Sequence, residues 1–313
     1  MDIVITWVDA NNKEWLNEKA HWHYLFKGTQ VNHVANYSSF DEIRYVLRSI
    51  EKYMSHYRHI YLVTNNGSKP KWLKQTSRIS IIDYRDLMPN NISTYNSNAI
   101  ESQLYKIPNL SEYFLYFNDD ILLTKSLKME DLIDSNTGKL LYPKETDILF
   151  SNFQYYKFLA KLEQKLLKFD TGVTNARKHT LKILNLQDTG ISGGHTPKIL
   201  NKTLCNIFNT KYKKQIDELL KQKFRTNTNL TYIEAFTQYH IQNKIANWNN
   251  QTTRIITILD SPQINALQRG LTFINNYNYL ALEDARKSID REEEQKMISY
   301  LNTIFPKKSS FEI

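Results

Sequence analysis

A chain of 313 residues, 41% hydrophobic and 23% charged, has the make-up of a globular protein with a substantial core. No apolar run reaches the roughly 18 residues of a membrane span, and a single cysteine, Cys205, excludes an intrachain disulfide and any cysteine-based zinc centre. The net charge of +9 is uneven: between Tyr155 and Arg225 fifteen Lys and Arg stand against five Asp and Glu, which predicts an anionic partner (a phosphate-bearing substrate, a membrane surface or nucleic acid) unless it is only a solvated lysine-rich face.

The opening MDIVITWVDA has no basic start and no small-residue cleavage site, so it reads as a first strand and not as a signal peptide. Its consecutive Ile3, Val4 and Ile5 suit a strand covered on both faces. From Ser39 to Met54 a helical period puts Phe40, Ile43, Leu47, Ile50 and Met54 on one face, and Ser39 with Glu42 has capping-box spacing. HIYLVTNNG and RISIIDYRD read as strands, Asn98 to Tyr105 as a short helix stopping before Pro108, and YFLYFNDD as a fourth strand. Residues 155 to 169 form a basic amphipathic helix on this reading, which fits a core-packed helix with a wet face better than a membrane anchor. Cys205, in LCNIF, reads as a core thiol. Residues 288 to 304 are a last amphipathic helix before Pro306.

Strands alternating with helices predict an α/β fold with a mostly parallel central sheet and flanking helices, plus a basic helical insertion. Three segments are expected: a core over 1–150, a basic helical segment over 151–230 that completes the site, and a C-terminal helical segment over 231–313 that packs back on the core. Ligands of such sheets bind beyond the carboxyl ends of the strands. There stand Asp9, then Asn65 and Asn66, then Asp83 and Asp86, then Asn118, Asp119 and Asp120. Two adjacent carboxylates at the end of a buried strand are costly unless something offsets their charge. A divalent ion would do so, and a solvated Asx turn is the plainer alternative.

In four blocks this chain resembles the Stealth family of sugar-phosphate transferases. DIVITWVD looks like the first; DEIRYVLRSIEKY through IYLVTNN, IIDYRDLMP, YNSNAIES and FLYFNDD like the second; GGHTPKIL with KFRTN like the third; FINNYNYL through IFPKKSSFE like the fourth. The chain departs from the family pattern at Ala10, at Asn98, where a histidine is usual, and at Asn276, often an aspartate. The resemblance implies a nucleotide-diphosphosugar-transferase-like core. It also implies a reaction in which a UDP-sugar, a UDP-N-acetylhexosamine or UDP-hexose, donates sugar-1-phosphate to a hydroxyl of a polysaccharide or lipid-linked oligosaccharide, with release of UMP. A metal-dependent glycosyltransferase releasing UDP is the alternative.

Phosphoryl transfer requires charge neutralisation and an in-line nucleophile. Asp119 and Asp120 are the expected ligands of Mg2+ or Mn2+, which favour one or two carboxylates plus phosphate oxygens. Asn118 is a neutral ligand or a donor to the sugar. Successive strand residues face opposite ways, so both acids serve one ion only if the strand has already ended; otherwise Asp120 is a base. Asp9 is expected to hold uracil or ribose or to assist with the metal, with a helix or turn cap as the plain alternative. Glu101 orients the acceptor or acts as base. Asn96 contacts the donor or caps its helix. His195, after Gly193 and Gly194, is a general base or a phosphate ligand. Arg177 and Arg225 are expected to clamp the diphosphate bidentately, with Asn175 and Asn227 as weaker companions. Work in the cytoplasm, with peripheral contact at the inner face of the cell membrane, is expected. Nucleic acid is not, because the basic residues form no known RNA-binding motif.

Overall fold

Apolar runs covered on both faces build the centre of the molecule. In a computed structural model, which describes residues 1–9, 11–27, 41–144, 172–226, 228–251, 253–258, 276–284 and 291–313, the main sheet has the order β3-β2-β1-β4-β7. β1 is Asp2–Thr6, β2 Ile60–Thr64, β3 Ile79–Asp83, β4 Tyr113–Asn118 and β7 Lys198–Asn201. The first four run parallel. Ile3, Val4, Ile5, Phe114, Leu115 and Phe117 are fully buried, as expected where helices cover both sides. β7 is an antiparallel edge strand, with Tyr116 opposite Lys198 and Leu115 opposite Ile199. Four residues directly after a proline carry too little pattern to announce it.

The helix expected from Ser39 begins at Glu42 and runs to Tyr53 (α2). Ser39 lies outside the described residues, and no side chain caps the first turn. Asp41 precedes it with φ 66°, and its carboxylate accepts instead from Trp72 Nε1 at 2.6 Å and Arg44 Nε at 2.8 Å. The short helix expected over 98–105 covers Ser97–Glu101 (α3), and a 3-10 turn at Leu104–Lys106 then leads to Pro108. The basic helix expected over 155–169 falls outside the described residues. A helix, Lys13–Lys27 (α1), follows β1, and Asn12 caps it by accepting from Trp15 N at 3.0 Å.

The C-terminal stretch is a correction, since strands accompany its helices. Behind the β4 tip, β5 (Ile121–Leu123) pairs with β10 (Tyr279–Asp284), which pairs with β9 (Thr253–Ile258). β6 (Leu140–Pro143) pairs with β8 (Ala246–Asn249). The last residues return to α2. Arg48 Nε and Nη2 each donate to Glu312 at 2.7 Å, and Nη1 donates to the Phe305 carbonyl at 2.8 Å. Ile3 and Phe311 belong to one buried apolar cluster.

Candidate active site

β4 ends at Asn118, and Asp119 and Asp120 form the turn into β5. The strand has therefore ended before the acids, and strand alternation no longer forces them to opposite faces. The turn is held from behind, where Leu282 N donates to the Asp120 carbonyl at 3.0 Å. Burial, then the charge of Asp120, then that of Glu42 hold the Asp119 carboxyl well above the usual carboxylate range. Glu42 opens α2, which packs on β5 through the bond from Leu123 N to Ser49 Oγ at 3.0 Å. Sequence reasoning gave Glu42 a capping task; the fold gives it an electrostatic one.

This strained acidity tests the fit of a metal. All the donors are hard oxygens, and the fold concentrates negative charge that a dication would offset. Among the described residues no group of three or more His, Cys, Asp or Glu is arranged to hold a metal ion. Two carboxylates suit magnesium or manganese completed by phosphate oxygens and water, and they do not suit a closed zinc centre.

Glu101 closes α3 and is half-buried. Its Oε1 accepts from Tyr116 Oη at 3.2 Å. Burial raises its pKa, which the Arg225 guanidinium and the Tyr116 hydroxyl partly counter. Tyr116 in turn feels Asp119 as well as Glu101, so one phenol links the two carboxylate sites. Arg225 is exposed and reaches this neighbourhood because residues 223–224 run beside Tyr95: Tyr95 N donates to the Lys223 carbonyl at 2.8 Å, and Tyr95 bridges to Phe224. Asn229, which the sequence did not single out, secures the turn after Arg225 by accepting from Thr226 N at 2.6 Å. Asn227 lies outside the described residues.

His195 is half-buried in the bend before β7. The bend leads into β7, whose first residue Lys198 pairs with Tyr116, two residues before Asn118. The bend is shaped by Lys198, a buried lysine whose Nζ donates to the Gly193 carbonyl at 2.9 Å, the Thr196 carbonyl at 3.0 Å and Thr196 Oγ1. A Cβ on Gly193 would lie 2.8 Å from Lys198 Cε, and Gly194 has φ 49°, so both glycines are needed. The pattern GGHTPK contained this lysine, but nothing in sequence separates a buried lysine from a wet one.

Three expectations meet different surroundings. Arg177 is not open to a diphosphate: Nε donates to Glu234 at 2.8 Å, Nη1 to Asp188 at 2.8 Å and Nη2 to the Ile191 carbonyl at 3.2 Å. Two carboxylates already neutralise it. Because Glu234 also accepts from Ser192 Oγ at 3.2 Å, Arg177 fastens helix Gly172–Ile183 (α4) to the loop leading to His195. Its neighbour Asn175 has no described side chain. Asn96 is fully buried, with Oδ1 accepting from Asn98 N and Nδ2 donating to Asn229 Oδ1, both at 3.2 Å; it has the cap role. Asp9 accepts from Asn11 N at 2.9 Å, while its own N–H donates to Asn65 Oδ1 at 2.8 Å. It caps a turn at the end of the sheet that also carries the acids. Asn98, where the family pattern has histidine, accepts from Tyr232 N at 3.2 Å, and Asn276 is exposed.

Residues 36–141 match the family model described as Stealth protein CR2, conserved region 2. A capsular polysaccharide phosphotransferase of Actinobacillus pleuropneumoniae is 32% identical over 241 residues, covering 74% of this chain and 61% of that one. An exopolysaccharide phosphotransferase of Lactiplantibacillus plantarum is 31% identical over 194 residues, 56% of each chain. This chain thus spans about three fifths of the length of such relatives. Among solved structures, the galactosyltransferase LgtC with donor and acceptor sugar analogs aligns over 97% of this chain and 96% of its own, with a TM-score of 0.42 and 12% identity. That likeness is too slight to carry an argument about function.

Proposed function

The chain belongs to the Stealth family, and on that premise we propose that it transfers sugar-1-phosphate from a UDP-sugar to a hydroxyl of a cell-surface polysaccharide or its lipid-linked precursor. The observation that carries this reading is the acid turn Asp119–Asp120, where burial and the neighbouring carboxylates of Asp120 and Glu42 raise the Asp119 carboxyl, with Glu101 and Arg225 brought to the same end of the sheet. The names of the relatives, capsular and exopolysaccharide phosphotransferases, agree with it.

Asp119 and Asp120, with Asn118, would hold Mg2+ or Mn2+. A bound dication neutralises the donor diphosphate and stabilises the leaving oxygen. The chain's own groups do the rest. Glu101, a carboxylate whose affinity for protons burial has raised, receives the proton of the acceptor hydroxyl. That oxygen bonds to the sugar-proximal phosphorus, the bond from this phosphorus to the bridging oxygen breaks, and UMP leaves. Arg225 and His195 lie on the phosphate side, where a guanidinium and an imidazole N–H favour the spread charge of the transferring group. Asp9 lies on the nucleotide side, at the end of β1. The lysine-rich stretch suits an anionic surface, and work at the inner face of the cell membrane belongs to the same proposal. Among the described residues no helix is long and apolar enough to cross a membrane.

The test is to incubate the protein with a panel of UDP-hexoses and UDP-N-acetylhexosamines, Mg2+ and capsular oligosaccharide, and to follow the polymer by phosphorus NMR. A new phosphodiester resonance coupled to an anomeric proton is expected. A new glycosidic linkage without phosphorus contradicts the reading and marks a glycosyltransferase.

A further inference from the structure

Tyr116 lies two residues before Asn118 on β4, on the same face of the strand, and is 4% exposed. Its hydroxyl stands between two partners. It donates to Glu101 Oε1 at 3.2 Å, and Thr6 Oγ1 lies 3.1 Å away. A phenol has one proton; with that proton directed at Glu101, the Thr6 hydroxyl donates to Tyr116. Thr6 ends β1 and sits in register with Asn118. The chain Thr6–Tyr116–Glu101 therefore ties β1, β4 and α3 together at the level of the acid turn. α3 is only five residues long, so its last side chain needs a hold from outside the helix. Among the described residues that hold is Tyr116. The phenol is buried against the Glu101 carboxylate it donates to.

We infer that Tyr116 is a positioning residue for the transfer step: its hydroxyl, aligned by Thr6, fixes the Glu101 carboxylate so that it meets the acceptor hydroxyl in one orientation. The inference rests on the proposed reading of Glu101 as the proton acceptor. It has a consequence that packing alone does not. A hydrogen bond to a carboxylate favours its charged form. Burial opposes the ionisation of Glu101, and against it act the Arg225 guanidinium from the segment beside Tyr95 and the hydroxyl of Tyr116 from β4; the Tyr232 phenol of helix Tyr232–Gln242 also faces its charge and stays neutral. Without the phenol hydroxyl, Glu101 ionises at higher pH, and the acidic limb of the pH–rate profile moves up with it.

The experiment compares Tyr116→Phe, Thr6→Val, Glu101→Gln and the double variant Tyr116→Phe/Glu101→Gln in the full chain, with UDP-sugar, Mg2+ and oligosaccharide acceptor. Tyr116→Phe is expected to fold, to lower kcat about 10- to 100-fold, to change the donor KM less than about threefold, and to raise the acidic limb. Thr6→Val shifts both in the same direction by less. The double variant is no slower than Glu101→Gln, because both changes act on one proton transfer. A Tyr116→Phe protein with unchanged kcat and limb overturns the inference. So does a double variant whose loss is the product of the single losses. If Glu101→Gln alone keeps full turnover, the assignment of Glu101 as base fails first and the inference with it, a result distinct from the other two.

Discussion

At the residue scale, Asp119 is kept where its charge is costly. Burial and the carboxylates of Asp120 and Glu42 all oppose its ionisation, and a position retained against its own stability is often a functional one. Asp119→Asn is therefore expected to lower turnover at least about 100-fold while the chelator-treated protein melts at the same temperature or higher. Calorimetry and an activity assay check it, and a clearly lower Tm with intact turnover would contradict it. The place of Asp119 and Asp120 at the end of a buried strand was legible in sequence, because an apolar run gives way to them directly. Glu42 was not, because an acid in a first helical turn fits any helix. Arg177 misled for a similar reason: an arginine in a basic stretch suggests phosphate, and only the fold shows that Asp188 and Glu234 come from elsewhere to neutralise it.

At the element scale, the chain end is fastened to α2 by a buried ion pair. Glu312 accepts from Arg48 at 2.7 Å in a bidentate arrangement, with both side chains almost wholly buried. Burial alone would raise the Glu312 pKa, but Arg48 and Ser309 outweigh it and lower it. Removing one partner of such a pair costs about 3–5 kcal/mol, so Glu312→Ala should show that loss in urea titrations at pH 7. A loss under about 1 kcal/mol would mean that the pair is not a fastening. Arg177→Met should likewise expose the loop 188–192 to proteolysis before the protein as a whole unfolds. α2, β1, β2 and β4 were readable from periodicity. β7 and β8 were not, because four residues carry too little alternation to stand out, and the six-residue β9 and β10 were not singled out either.

At the scale of the whole molecule, two buried groups contribute to how stability follows acidity. His240 is fully buried beside Phe236, and burial pushes its pKa down to about 4. In the unfolded chain it binds a proton below about pH 6.5, so stability falls as pH drops from there towards 4, by about 3 kcal/mol in all. Glu312, with its lowered pKa, contributes stability that is present above its unfolded value and is lost as pH falls through its folded one. His240→Leu should flatten the slope between pH 6.5 and 4 and leave the acid loss from Glu312 in place; denaturant titrations at several pH values read both. An unchanged slope would contradict the assignment to His240. The α/β class and the edge of the sheet that carries the acids were legible because parallel strands place their ends together. Which polar residues near the site become site and which become structural ties, as Asn96 and Asn98 did, depends on contacts across more than 130 positions of chain.

The central claim is that phosphorus, and not the anomeric carbon, is attacked. A UDP-sugar labelled with phosphorus-32 in the phosphate next to the sugar tests it in one assay. The account predicts that label enters the polysaccharide while unlabelled UMP accumulates, and that both cease with Asp120→Ala or with excess chelator. Label retained in UDP, with unlabelled polymer growing, would contradict it.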